Sequence, residues 1–204
     1  MKIYIVRHGE TEWNIEGRLQ GWKNSDLTKK GIENAKKLGE YLNNISFDKI
    51  YCSPAGRAIQ TANYIIGDRK LEITTEEKLK EMGFGMLEGL KHDEMKERYP
   101  KQQDNLWNNP HLYEPFKDGE SYEDILKRAN EFIEILRKEQ TGDNILVISH
   151  AAFIKALFVV IKNLSVEEFW SSPYMYDTCL TILEIQDNNL NLLLEADVSH
   201  LQLT

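Results

Sequence analysis

Two histidines in this chain stand directly behind short apolar runs. Ile3-Tyr4-Ile5-Val6 ends in Arg7-His8-Gly9-Glu10-Thr11, and the run Asn144 to Ser149 ends in His150-Ala151-Ala152. Runs of that length, rich in β-branched residues and bounded by turn formers, read as buried strands. Open α/β sheets bind ligands beyond the carboxyl ends of their strands, and a guanidinium beside an imidazole at that place suits a phosphate or carboxylate. Two histidines at two strand ends are hard to explain as core fillers. Gly9 reads as a point where the backbone comes close to a ligand. Glu81 lies in Leu79-Lys80-Glu81-Met82-Gly83-Phe84-Gly85, a glycine-marked loop from which a carboxyl group either reaches into a cleft or stays solvated. Arg57, read by its surroundings alone, is a surface residue of a helix.

These residues need elements to hold them. Leu27-Thr28 opens a segment with apolar or small residues at Ile32, Ala35, Leu38, Gly39 and Leu42, a helical spacing with Thr28 as N-cap. Asp48 to Cys52 is a short strand. Ser53-Pro54 reads as a helix start, Ser capping and Pro at the first helical position, with the helix running to about Ile66. Leu71 to Thr74 is a further strand. Lys91 to Gly119 is polar and irregular, with Pro100, Pro110 and Pro115 and the aromatics Tyr99, Trp107, Tyr113 and Phe116. It reads as a cap of helical pieces and loop, either a lid or a satellite packed on the domain. Ser121-x-x-Asp124 resembles a capping box before an amphipathic stripe from Tyr122 to Leu136. Ala151 to Lys162 is an apolar helix, and Thr178 to Ile185 and Leu190 to Ala196 are strands joined by a turn at Asp187-Asn188-Asn189. Strands alternating with helices give an α/β sandwich, and without linker, repeat or low-complexity tract, residues 1–204 read as one domain.

Composition narrows the partners. A chain of 204 residues that is 41% hydrophobic and 28% charged can bury a core while keeping a solvated surface. The formal charge of −8 and pI near 5.2 argue against nucleic acid or an anionic membrane as partner. A small anionic substrate then needs a local cationic pocket. Cys52 and Cys179 form no C-x-x-C or metal-spaced cluster, which suits a reducing compartment. Met1-Lys2 runs straight into a strand, and Phe153 to Ile161 is too short to span a bilayer, so a cytoplasmic location is expected.

Arg7-His8-Gly9-Glu10-Thr11-Glu12-Trp13-Asn14, followed by Gly17-Arg18-Leu19-Gln20-Gly21, resembles the opening of the histidine phosphatase superfamily, the phosphoglycerate-mutase-like proteins. Ser53 to Ala62, Asp118-Gly119-Glu120-Ser121 and Val147-Ile148-Ser149-His150 extend the resemblance from Ile3 to about Glu184. It implies a three-layer α/β/α sandwich around a central, mostly parallel sheet. It also implies a role for each residue. His8 attacks phosphorus in its neutral form and becomes a phosphohistidine, while Arg7, Arg57 and a protonated His150 share the charge on the transferring oxygens. Glu81 protonates the leaving oxygen and then takes a proton from water. Asn14, Gln20 and Gly21 match positions that hydrogen-bond the phosphate. Neither metal nor cofactor enters this scheme, and the partners expected are a small phosphorylated substrate and, at most, a second copy of the chain, so monomer or homodimer. His92, His111 and His200 match no motif and read as surface residues.

Three departures from the family pattern matter. Met82 and Phe84 stand where mutases of the family place Arg and Tyr to hold a carboxylate, and the stretch from Gly89 to Gly119 is short and aromatic, without the mutases' paired basic residues. Ala151 replaces the usual glycine after the second histidine, and Leu87 the usual tryptophan before Glu88-Gly89. The first departure favours hydrolysis of an apolar or ring-bearing phosphomonoester, of broad-specificity or α-ribazole-phosphatase type, over a cofactor-dependent phosphoglycerate mutase. A non-catalytic phospho-ligand binding module is the reading of another class, and a metal-dependent hydrolase with His8 and His150 as ligands is a third.

Overall fold

The computed structural model describes residues 1–139, 142–187 and 189–201. Strand β1 (Lys2–Arg7) leads through the short helix α1 (Glu12–Ile15) to α2 (Lys29–Tyr41), then β2 (Lys49–Cys52), α3 (Gly56–Ile66) and β3 (Ile73–Thr75). Helices α4 (His92–Arg98), α5 (Pro100–Asn108) and α6 (Tyr122–Lys138) precede β4 (Asn144–Ser149), α7 (Ala151–Lys162), β5 (Leu180–Gln186) and β6 (Asn189–Asp197). The six strands form one sheet in the order β3-β2-β4-β1-β5-β6. β1, β2, β3 and β4 pair in parallel, whereas β5 and β6 run antiparallel.

The strand period of two divides the core into two layers. Ile3 and Ile5 of β1, with Ile145 and Val147 of β4, pack against α6 and α7 on one face. Tyr4 and Val6, with Leu146 and Ile148, pack against α2 and α3 on the other. Helices cover both faces of a mostly parallel sheet, so β4 reads as an unbroken apolar run rather than an alternating one. The architecture is the three-layer α/β sandwich that the sequence implied.

Thr28 caps α2, its hydroxyl accepting from the Gly31 amide at 3.0 Å, and Ser121 with Asp124 completes the capping box of α6. Three expectations are corrected. Helix α3 begins at Gly56, with Ala55 as its N-cap; the Ser53 hydroxyl accepts from the Ala55 amide at 3.3 Å and lies 2.7 Å from His150 Nε2. Thr178 lies in the left-handed region at φ 54°, so β5 starts two residues later. At the β5–β6 turn, Asp187 is also left-handed at φ 49°, while Asn188 lies outside the described residues. Gly9 has a packing duty: a Cβ there would meet the Gly31 carbonyl oxygen at 2.8 Å, so it is helix α2, not a ligand, that approaches this backbone. No described helix is long and apolar enough to cross a membrane.

Candidate active site

Parallel pairing of β1 with β4 sets Arg7 opposite Ser149, so the residues that follow each strand, His8 and His150, emerge side by side. Their rings lie 5.1 Å apart between centroids. The His8 amide donates to the Ser149 carbonyl at 3.0 Å and fixes that spacing. His8 is almost wholly buried, and its Nδ1 donates to the Gly9 carbonyl at 2.7 Å. With Nδ1 as the N–H, Nε2 keeps the lone pair. Burial, then the positive charges of Arg57 and Arg7, hold the His8 pKa well below its ordinary value, so the ring is neutral at pH 7.

His150 is fully buried, with Nε2 at 2.7 Å from the Ser53 hydroxyl and Nδ1 without a partner. Burial first, then Arg57, His8 and Arg7, lower its pKa strongly as well. The expectation of a protonated His150 is therefore corrected for the ligand-free site: burial and two guanidiniums keep the ring neutral. A Ser53 hydroxyl donating to Nε2 leaves Nδ1 as an N–H, and that ring is still a donor to an anion.

Arg57 is no surface residue. It is fully buried in the first turn of α3, with Nη1 on the Lys23 carbonyl at 2.7 Å and Nη2 on the Gly21 carbonyl at 2.8 Å. Burial pushes its pKa down to about 10, against the opposing pull of Glu81, and leaves it cationic at pH 7. Arg7, at the end of β1, donates through Nη1 to the Met175 carbonyl.

Glu81 is half-buried on the cavity wall, and its carboxyl is not free. Its Oε1 accepts from the amides of Met82 at 3.0 Å, Ala152 at 3.1 Å and Phe153 at 3.2 Å, so the carboxyl caps the first turn of α7. Burial raises its pKa, opposed in turn by the Met82 amide, Arg57, the Ala152 amide and Arg7. Arg128 holds this loop in place through the carbonyls of Lys78, Lys80 and Glu81, and is itself paired with Glu120 at 2.7 Å.

Asn14 completes the cap of α1, its Oδ1 accepting from the Thr11 amide at 3.0 Å, which leaves the Nδ2 end for a ligand. Gly21 adopts φ 54°, and a Cβ there would overlap Glu88 at 2.1 Å, so this turn requires glycine. Glu88 in turn binds the amides of Trp22 and Lys23 at 2.9 and 3.1 Å.

Arg7, His8, Asn14, Gln20, Gly21, Arg57 and Glu81 all line one cavity of about 870 Å³, and His150 lies beneath it against His8. Among the described residues, six buried side-chain polar atoms lack a partner. Four of them belong here: Arg7 Nε, Gln20 Oε1, Arg57 Nε and His150 Nδ1. Buried donors left open are costly, and the Nε–H groups of Arg7 and Arg57 on one cavity, with His150 Nδ1 on the ring beside His8, make a site for an oxyanion. Rotating the Gln20 amide would present its NH2 as a fourth.

Several lining residues lie outside the motifs. Of the four aromatics read in 91–119, Trp107 reaches the cavity, whereas Tyr113 is core and Tyr99 packs on Phe116 at 5.1 Å. Trp170, Tyr174 and Tyr176, with Trp13 of the opening motif and Phe84 of the Glu81 loop, supply the rest of the aromatic wall. Lys155 also lines it. Among the remaining histidines, His111 is exposed as expected and His92 sits exposed at the cavity mouth, 5.7 Å from Trp107. His200 is buried, with Nε2 at 3.0 Å from the Thr178 hydroxyl, which corrects its assignment to the surface.

Comparison with known proteins agrees with this geometry. The profile of the histidine phosphatase superfamily (branch 1) matches residues 3–198. Phosphoserine phosphatase 1 of Hydrogenobacter thermophilus is 34% identical over 171 residues, covering 84% of this chain and 81% of that protein. A 2,3-bisphosphoglycerate-dependent phosphoglycerate mutase of Treponema denticola is 35% identical over 202 residues, covering 84% and 82%. The solved structure of Bacillus stearothermophilus YhfR superposes with a TM-score of 0.94 at 39% identity, covering 98% of both chains.

Proposed function

The chain belongs to the histidine phosphatase superfamily, and from that premise we propose that it is a metal-independent phosphomonoester hydrolase acting through a phosphohistidine at His8. The observation that carries this reading is the convergence of unpartnered buried donors from Arg7, Arg57 and His150 on a neutral His8 whose Nε2 is free. A phosphate monoester supplies the oxygens those donors lack. Its phosphorus then stands against the Nε2 lone pair.

In the first step His8 Nε2 forms a bond to phosphorus as the ester P–O bond breaks, and the departing alkoxide takes the proton of Glu81. Arg7 and Arg57 hold the charge on the equatorial oxygens, the main catalytic term in phosphoryl transfer, and His150 Nδ1–H adds a neutral donor. In the second step the Glu81 carboxylate takes a proton from water, the water oxygen bonds to phosphorus, and the P–N bond breaks to regenerate neutral His8. Asn14 Nδ2 and the Gln20-Gly21 turn hold the phosphate in register between the steps.

The aromatic wall selects the leaving group. Phe84 lines the cavity and Met82 is buried behind it, so neither supplies a partner for a substrate carboxylate. With Trp107 and Trp170 on the same wall, their rings 4.7 Å apart, the cavity suits an apolar or ring-bearing phosphomonoester, as in a broad-specificity or α-ribazole-type phosphatase. Phosphoglycerate mutase is the second reading, favoured by the mutase relative at similar identity. The test is hydrolysis of para-nitrophenyl phosphate in excess EDTA by wild type and His8→Ala, together with a bisphosphoglycerate-primed assay for 2-/3-phosphoglycerate interconversion. Turnover in EDTA that is abolished in His8→Ala, with no interconversion, is the expected result. Turnover that survives His8→Ala or fails in EDTA overturns the scheme.

A further inference from the structure

We propose that Lys155 is a positioning residue for the Arg7 guanidinium, acting through the turn that runs from Ser172 to Met175. Lys155 sits inside α7, a helix otherwise apolar through its middle, and is nearly buried. Its ammonium donates to the Ser172 carbonyl at 2.9 Å, the Ser172 hydroxyl at 3.0 Å and the Pro173 carbonyl at 3.1 Å. Three donors meet three acceptors, all on one turn. Two residues further on, the buried Met175 offers its carbonyl to Arg7 Nη1. That is the one hydrogen bond of the Arg7 guanidinium among the described residues, and Arg7 Nε has no partner.

The turn is pinned at its far end too. Asn34 donates to Asp177 at 2.8 Å, and Thr178, in its left-handed conformation, is tied to His200. Lys155 is thus the near anchor of a segment whose middle aims a phosphate-binding cation. The ammonium also lies 5.7 Å from the centroid of the Trp170 ring, at the edge of the cavity. Burial pushes the Lys155 pKa down to about 8, and an apolar side chain of similar length would leave the Ser172 and Pro173 acceptors without their donor.

This inference rests on Arg7 binding the substrate phosphate. The experiment measures the Kd of inorganic phosphate, para-nitrophenyl phosphate kinetics and melting midpoints for wild type, Lys155→Met, Lys155→Arg and Ser172→Ala. Wild-type turnover and phosphate binding report on the phosphatase assignment separately from the comparison among variants. In Lys155→Met, phosphate is expected to bind about tenfold more weakly and KM to rise more than kcat falls, with the melting midpoint lowered by no more than a few degrees. Lys155→Arg is expected to recover most of the loss. Ser172→Ala, which leaves α7 untouched, is expected to lose about two- to threefold in phosphate affinity. Wild-type phosphate affinity in Lys155→Met overturns the proposal. So does a KM rise confined to bulky substrates, which would mean that Lys155 touches the leaving group, or a loss that follows a lowered melting midpoint in all three variants.

Discussion

Glu81 does two things in this structure, and substitution separates them. Its carboxyl satisfies the amides of Ala152 and Phe153 at the start of α7, and it is also the one carboxyl of the proposed scheme. Glutamine keeps an Oε1 acceptor at the cap and removes the transferable proton; alanine removes both. Loss of a helix cap costs about 1 kcal/mol, so Glu81→Ala is expected to melt several degrees lower and Glu81→Gln close to wild type. Loss of the general acid is worth about 10² to 10⁴ in rate, so Glu81→Gln is expected to lose that much kcat/KM on an alkyl phosphate. Para-nitrophenolate leaves readily without a proton, so on that ester Glu81→Gln still forms the phosphohistidine. Without a base for the attacking water, hydrolysis of the intermediate then lags. Rapid mixing should show a burst of nitrophenolate stoichiometric with enzyme, followed by slow turnover. Wild-type kcat/KM on alkyl phosphates in Glu81→Gln, with a lowered midpoint in Glu81→Ala, would reduce Glu81 to a helix cap and refute the reasoning.

Arg57→Lys removes a fork that spans the Lys23 and Gly21 carbonyls, and a single ammonium does not serve both at once. It is expected to cost about 1–3 kcal/mol in unfolding free energy and at least tenfold in kcat/KM, read by urea titration and steady-state kinetics. His8 and His150 have folded pKa values lowered below 6.5, so their contribution to stability is present above that pH and lost as pH falls through the lowered values. The melting midpoint of the wild type should fall on acidification, and His150→Gln should flatten the fall; equal slopes in the two proteins would contradict this. Trp107→Ala opens the aromatic wall. It should raise KM for aryl phosphates about three- to tenfold while leaving a small alkyl phosphate within twofold, as competition kinetics would show.

Much of the site was legible because its residues hang on strands. Apolar runs of β1 and β4 fixed where Arg7, His8 and His150 emerge, and α7 has the limits, Ala151 to Lys162, that its hydropathy marks. What escaped was the use of local signals for distant partners. Ser53 carries a capping hydroxyl that accepts from the Ala55 amide and also meets His150, 97 residues away in sequence. Gly9 carries backbone freedom and spends it on α2. Arg57, apart from the motif that assigned it to the phosphate, looked like a solvated helix residue, yet it heads the row Arg57, Thr61, Ile65 on the buried face of α3, a stripe that periodicity alone could have flagged. Lys155 gave a similar hint as the lone interior charge of an apolar helix. Trp170 and Tyr174 gave none, because the segment between α7 and β5 follows no periodic pattern and only the fold turns it toward the cavity.

The central claim is that phosphorus is carried on His8. Substrate labelled in its phosphoryl group, mixed with enzyme in excess EDTA and quenched in base during turnover, gives the most direct reading. One alkali-stable, acid-labile label per chain is expected, on the peptide holding His8, absent in His8→Ala and accumulating further in Glu81→Gln. Label on another residue, or steady hydrolysis with no labelled protein in either wild type or Glu81→Gln, would contradict it.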